Sequence, residues 1–191
     1  MTGIPLFIAE PTGTCRLSLR RFRFRDEPDG HSHDVTVVID ENTPVTPDNP
    51  DGTKPVTDKR VSRNDPRWPA ACTCGERFRD DDQWQVNELD WYEGNGQRFA
   101  WGVGSWDGPP GAMIRSEYRD QPGRPLSWTI FLPNGRAWNT NDPSSTPGSS
   151  RLGPQWTVTG AAPTITVDPS INDQGSRPWH GWIRNGELVG A

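Results

Sequence analysis

Ser127-Trp-Thr-Ile-Phe-Leu-Pro-Asn-Gly-Arg-Ala-Trp-Asn139 is the stretch whose reading decides the fold. A β-branched and aromatic run meets Pro133-Asn-Gly135 and returns through Arg136-Ala-Trp-Asn139, and Asn-Gly tolerates the positive φ values of a type I′ turn, so the segment reads as a β-hairpin. The pattern recurs towards the C-terminus. Gln155-Trp-Thr-Val-Thr159 and Thr164-Ile-Thr-Val167 flank Gly160-Ala-Ala-Pro163, and Gly181-Trp-Ile-Arg184 and Glu187-Leu-Val189 flank Asn185-Gly186. Between the first two hairpins, Asn139 to Gly153 is rich in Ser, Pro and Asn and reads as a surface loop.

Towards the N-terminus, Arg16 to Phe24 carries Leu17 and Leu19 on one parity and Phe22 and Phe24 on the other. A β-bulge near Arg20 and Arg21 would reconcile the two halves. Val35 to Ile39 reads as a second strand. From Asp40 to Arg67 there is almost no apolar content and there are five prolines, Pro44, Pro47, Pro50, Pro55 and Pro66, which predicts an extended arm. Asp80-Asp-Asp-Gln-Trp-Gln-Val-Asn-Glu-Leu-Asp90 opens like a capping box, with Trp84, Asn87 and Trp91 at helical spacing, and predicts the one short helix. The expected architecture is therefore mainly β: a small antiparallel domain, sandwich or partly open barrel, with one helix and long Pro/Gly-rich loops. Its parts are N-terminal strands over 1–39, the arm over 40–67, and a metal-clipped β domain over 68–191 that forms one folded unit with 1–39.

Composition explains why a clip would help. Hydrophobic residues are 31% of the chain while Gly and Pro supply 20 each of 191, so the core is small and the ten tryptophans carry much of it. The net charge of −5 gives no drive towards nucleic acid, and the arginines from Arg16 to Arg25 read as a solvated strand face. No apolar run approaches the ~18–20 residues of a membrane span, and the first residues lack the basic flank of a secretion signal. Three cysteines, an odd number, argue against a disulfide framework.

Cys72 and Cys74, one residue apart, are an awkward disulfide and a natural pair of soft ligands for Zn²⁺, and His180 at the far end of the chain offers an imidazole. His31 and His33 face the same way in strand geometry, and His33, nearer the predicted strand, is preferred as the fourth ligand, with His31 and Cys15 as alternatives. The competing reading is a reduced Cys-Thr-Cys turn without metal, because a one-residue gap is tighter than the usual two to four. The Asp80-Asp-Asp82 run reads as a charged first turn rather than a Ca²⁺ or Mg²⁺ site.

Asp65-Pro-Arg-Trp-Pro-Ala-Ala-Cys-Thr-Cys-Gly75, Gly111-Ala-Met113, Gln155 to Ile171 with its Pro169-Ser-Ile171, and Trp179-His-Gly-Trp-Ile-Arg-Asn-Gly-Glu-Leu188 together resemble a family of unknown function in bacteriophages of actinobacteria. The C-terminal part is similar to a wider phage-borne group. The resemblance runs from about Asp65 to the end and implies a metal-bound β scaffold. Relatives often carry a cysteine beside the terminal histidine, where this chain has Pro178 and Gly181.

On this basis the expected function is non-enzymatic: a zinc-stabilised, virion-associated protein, made in the host cytoplasm. Its arm would contact capsid or tail subunits or a second copy of the chain, with no small-molecule substrate, specific nucleic acid or membrane. The alternatives are an intracellular phage accessory factor and a zinc hydrolase using Glu76, Asp80 or Asp173 as general base. Sugar binding by exposed tryptophans is opposed by Trp128, Trp156 and Trp182 falling where strand interiors belong.

Overall fold

The computed structural model describes residues 3–23, 32–40, 42–47, 49–51, 53, 61–102, 108–116, 127–140, 156–174 and 177–191. Among them every regular element is a strand. In chain order these are β1 (Ile4–Pro5), β2 (Phe7–Ile8), β3 (Glu10–Arg23), β4 (His33–Val38), β5 (Thr43–Pro44), β6 (Gln83–Gly94) and β7 (Gln97–Gly102). There follow β8 (Ala112–Ser116), β9 (Ser127–Phe131), β10 (Ala137–Asn139), β11 (Thr157–Thr159), β12 (Thr166–Asp173), β13 (Trp179–Arg184) and β14 (Glu187–Gly190). The expectation of a mainly β fold holds. The expected helix does not form.

Two compact units interleave along the sequence. The first comprises Met1–Pro11, Tyr92–Phe99 and Trp106–Ala191, and the second Thr12–Trp91 with Ala100–Ser105. In the first, the three C-terminal hairpins appear where the turn signals placed them. One sheet runs β1-β14-β13-β12-β11, antiparallel throughout, and another runs β10-β9-β8-β2 with β2 parallel to β8. Alternation along β12 and β13 sends Val167, Ile171 and Ile183 into a core with Leu6, Met113, Ile130, Leu132, Ile165 and Leu188. Trp128, Trp138 and Trp156 pack against this core, as expected of Trp128 and Trp156, whereas Trp182, also expected inside, is half-buried on the opposite face of β13.

The turns differ in detail from the reading. Gly135 has φ 82 but Asn134 is not in the positive region, and Leu132 N–H donates to Arg136 O. The loop is thus three residues long with glycine at its left-handed position, a favoured alternative to the two-residue turn. Asn-Gly pairs with both residues at positive φ occur instead at Asn95-Gly96 and Asn185-Gly186.

In the second unit the sheet runs β4-β3-β6-β7, with β5 against the start of β3. The expected bulge at Arg20 and Arg21 is absent: the β3–β4 register runs unbroken from Ser18↔Val38 to Arg23↔His33. What shifts parity is an arginine inside the fold. Arg21 follows Leu17 and Leu19 on the inner face, lies 3.7 Å over the Trp84 ring, and donates to the carbonyls of Pro69 and Arg79. Its planar head replaces an apolar residue because it stacks on the Trp84 ring and both terminal nitrogens donate to backbone oxygens. The predicted helix over 80–90 is largely β6. Trp84 and Val86 join the core while Asn87 and Leu89 are buried as well, so the alternation is broken and a helical spacing fits by coincidence. Asp82, read as part of a helix start, accepts from the Arg79 backbone N–H at 2.6 Å.

The described parts of 40–67 are not a free arm. Val45 and Val61 pack with Cys15, Leu17, Leu19 and Trp68, Thr46 is buried and hydrogen-bonded to Glu88, and the Trp68 indole donates to Ser62 O at 2.9 Å. Residues 54–60 lie outside the described residues.

Candidate active site and metal centre

The second unit builds a three-ligand cluster. Cys72 begins a tight turn in which Gly75 N–H donates to Cys72 O at 2.9 Å and Cys72 N–H to Glu76 O at 2.8 Å, with Gly75 at φ 92. That geometry turns the Cys74 thiol towards β4. His33, opposite Arg23 in the register, points its Nδ1 at Cys74 Sγ at 3.3 Å. One donor atom each of His33, Cys72 and Cys74 lies within 4.8 Å of the others, with His33 and Cys72 buried and Cys74 exposed. The three are close enough to hold a metal ion. The hydrogen bond from the Cys74 backbone, opposed by burial and helped by the His33, Thr73 and Cys74 side chains, draws the Cys72 thiol down to about 6 and so favours the thiolate, the form that binds a soft cation.

Behind the cluster, the far nitrogen of His33, Nε2, meets Glu76 Oε2 at 3.2 Å, and Glu76 is paired in turn with Arg23. A carboxylate on the outer imidazole nitrogen orients a metal-facing ring and raises its basicity. Of the other expected ligands, His31 lies outside the described residues and Cys15 is a fully buried core residue. All three cysteines are thiols. His180 is not in the cluster; it belongs to the first unit.

There His180 has a different neighbour. Its Nε2 stands 3.1 Å from Ser170 Oγ. Local structure makes this meeting. Between the pairs Val167↔Ile183 and Ile171↔Gly181, the three residues Asp168, Pro169 and Ser170 face Trp182 alone, so β12 bulges over 168–170. Bulges of this kind re-aim side chains and are frequent beside active sites. Ile171 and Ile183 point into the core, which sends Ser170 and Asn172 on β12 and His180 and Trp182 on β13 to the outward face. The Trp182 ring lies 5.5 Å from the His180 ring at 41° and flanks the pair. Neither acidic residue of β12 orients the imidazole. Asp168 is bonded to Arg184 at 2.5 Å, and Asp173 accepts from Asn134 at 2.8 Å and Arg136 at 2.9 Å. Of the other general bases considered, Glu76 is engaged by His33 and Arg23, and Asp80 is exposed in a turn.

Residues 126–190, about a third of the chain, match the family model described as bacterial ubiquitination-like system serine protease (BubE). No curated protein and no solved structure matches. The match overturns the expectation of a non-enzymatic virion component: a stretch similar to a serine protease points to an enzyme and not to a structural capsid or tail protein. The matched stretch contains one histidine, His180, and its described serines are Ser127, buried at 3% exposure, and Ser170. Ser170 was legible only as part of the Pro169-Ser-Ile171 motif. Nothing in the spacing pairs it with His180, because their meeting depends on the bulge.

Proposed function

We propose that the chain is a serine protease working through a Ser170–His180 dyad. The observation that carries this reading is the 3.1 Å contact between Ser170 Oγ and His180 Nε2 inside the stretch similar to a serine protease family. Nucleophile and base within hydrogen-bond reach are the minimum acyl-transfer machinery. His180 Nε2 takes the Oγ proton as Oγ bonds to the substrate carbonyl carbon. The π electrons move onto the carbonyl oxygen, and as the tetrahedral species collapses His180 passes the proton to the leaving group. Water repeats the sequence to release the acyl group. His180 is exposed and Ser170 half-buried, which leaves the pair open to a polypeptide. In this scheme Nδ1 carries the imidazole hydrogen, and Trp182 packing limits the ring's rotation.

The cluster of the second unit has the donor set of a zinc site, with two thiols and one imidazole. His33 Nδ1, Cys72 and Cys74 would supply three of the four ligands of a Zn²⁺ ion, which would tie the turn after Cys72 to the start of β4. Bound there, the ion contributes its binding free energy to folding.

Hydrolysis of p-nitrophenyl acetate tests the dyad. The wild-type protein is expected to show an acylation burst, and Ser170→Ala and His180→Ala to lower kcat by at least ~10²-fold while melting cooperatively. Unchanged turnover in Ser170→Ala would overturn the reading.

A further inference from the structure

A serine attacking a carbonyl needs a donor where the negative charge develops on oxygen, and the bulged face offers one. We infer that Asn172 Nδ2 is the side-chain donor of the oxyanion hole, an inference that rests on the Ser170–His180 dyad. Asn172 is two residues beyond Ser170 on the same strand, so the period of two puts both side chains on one face. It is also the direct cross-strand partner of His180, which places its Cβ ~4.5–5.5 Å from that of the base. Ser170, Asn172 and His180 therefore present their side chains side by side on one face of the sheet. Asn172 is exposed, while the intervening Ile171 is sealed in the core at 1% exposure and fixes the backbone from below.

The amide is also oriented. Asn172 Oδ1 accepts a hydrogen bond from Gln174 Nε2, which holds the amide plane and leaves the two Nδ2 hydrogens without a partner among the described residues. The other polar groups of this region are committed: Arg184 to Asp168, and Arg136 and Asn134 to Asp173. In the tetrahedral species, then, the oxyanion formed as Ser170 Oγ adds to carbon receives a hydrogen bond from Nδ2, and gives it up when the C=O bond re-forms. A neutral donor that takes up no proton suits this role, since stabilisation by an oriented amide dipole requires no transfer.

The test uses the full-length protein, p-nitrophenyl acetate as substrate and phenylboronic acid as the tetrahedral mimic. Asn172→Ala and Asn172→Asp, the second keeping shape but unable to donate, are both expected to lower kcat by ~10²–10³-fold with KM changed by less than about threefold. Phenylboronic acid should weaken in parallel with kcat, a correlation that a merely structural role would not produce. If Ser170→Ala abolishes turnover but Asn172→Ala keeps kcat within about threefold of wild type, the dyad stands and the role of Asn172 is refuted. If Ser170→Ala retains turnover, both fall together.

Discussion

At the scale of single residues, strand pairing gives His33 and His180 different surroundings. His33 is buried between a thiol on Nδ1 and a carboxylate on Nε2, an arrangement that fixes a ligand. His180 lies exposed with a hydroxyl on Nε2, the arrangement that the proposed dyad needs for proton transfer. Reading the sequence joined them in one site because both histidines suit a soft cation and nothing along the chain says which partner each will meet. Cys72 and Cys74 were legible, since a one-residue spacing constrains two thiols to one turn whatever the fold. The lowered Cys72 thiol has a consequence for stability. With its folded value near 6 against 9.0 for an ordinary thiol, the unfolded chain binds more protons between those limits, so the contribution is fully present above about pH 9 and is lost as pH falls towards 6. Metal-free protein is therefore expected to gain melting temperature between pH 6 and 9, and Cys72→Ser to lose that gain; a flat profile in the unmodified protein would contradict the hydrogen-bonded thiolate.

Among the elements, those with local turn chemistry were readable and those set by packing were not. The hairpins β9–β10, β11–β12 and β13–β14 announce themselves through glycine, proline and asparagine at their turns. β6 does not, because it is buried on both sides and its alternation is lost, and β3 hides an inward arginine where an apolar residue belongs. The bulge in β12 is likewise silent: it follows from matching Val167 and Ile171 to the same core, a non-local condition. Gly181, between His180 and Trp182, shows how closely this hairpin is fitted. A methyl group there would run into the Val189 carbonyl oxygen and the Trp179 ring. Gly181→Ala should cost about 1–3 kcal/mol by overpacking and should also displace His180 from Ser170. Both effects are measurable, as a lower midpoint in urea and as reduced kcat; a variant with unchanged midpoint and kcat would show that β13 does not hold the base in place.

For the whole molecule, the mainly β fold was readable from composition and turns, whereas the interleaving of two units was not, since it depends on long strands such as β3 and β6 passing from one unit into the other. Each unit has its own core and its own cluster of reactive side chains. The His33, Cys72 and Cys74 cluster belongs to Thr12–Trp91 and the Ser–His pair to the unit holding Trp106–Ala191. The candidate catalysis thus depends on a serine that only the folded bulge brings to a histidine, and it predicts selective chemistry at that one hydroxyl. Treating the folded protein with a fluorophosphonate and mapping the adduct by peptide mass spectrometry tests this most directly. The account predicts one covalent adduct per chain, located on Ser170 and absent from His180→Ala; a protein left unmodified, or labelled elsewhere with Ser170 untouched, would contradict it.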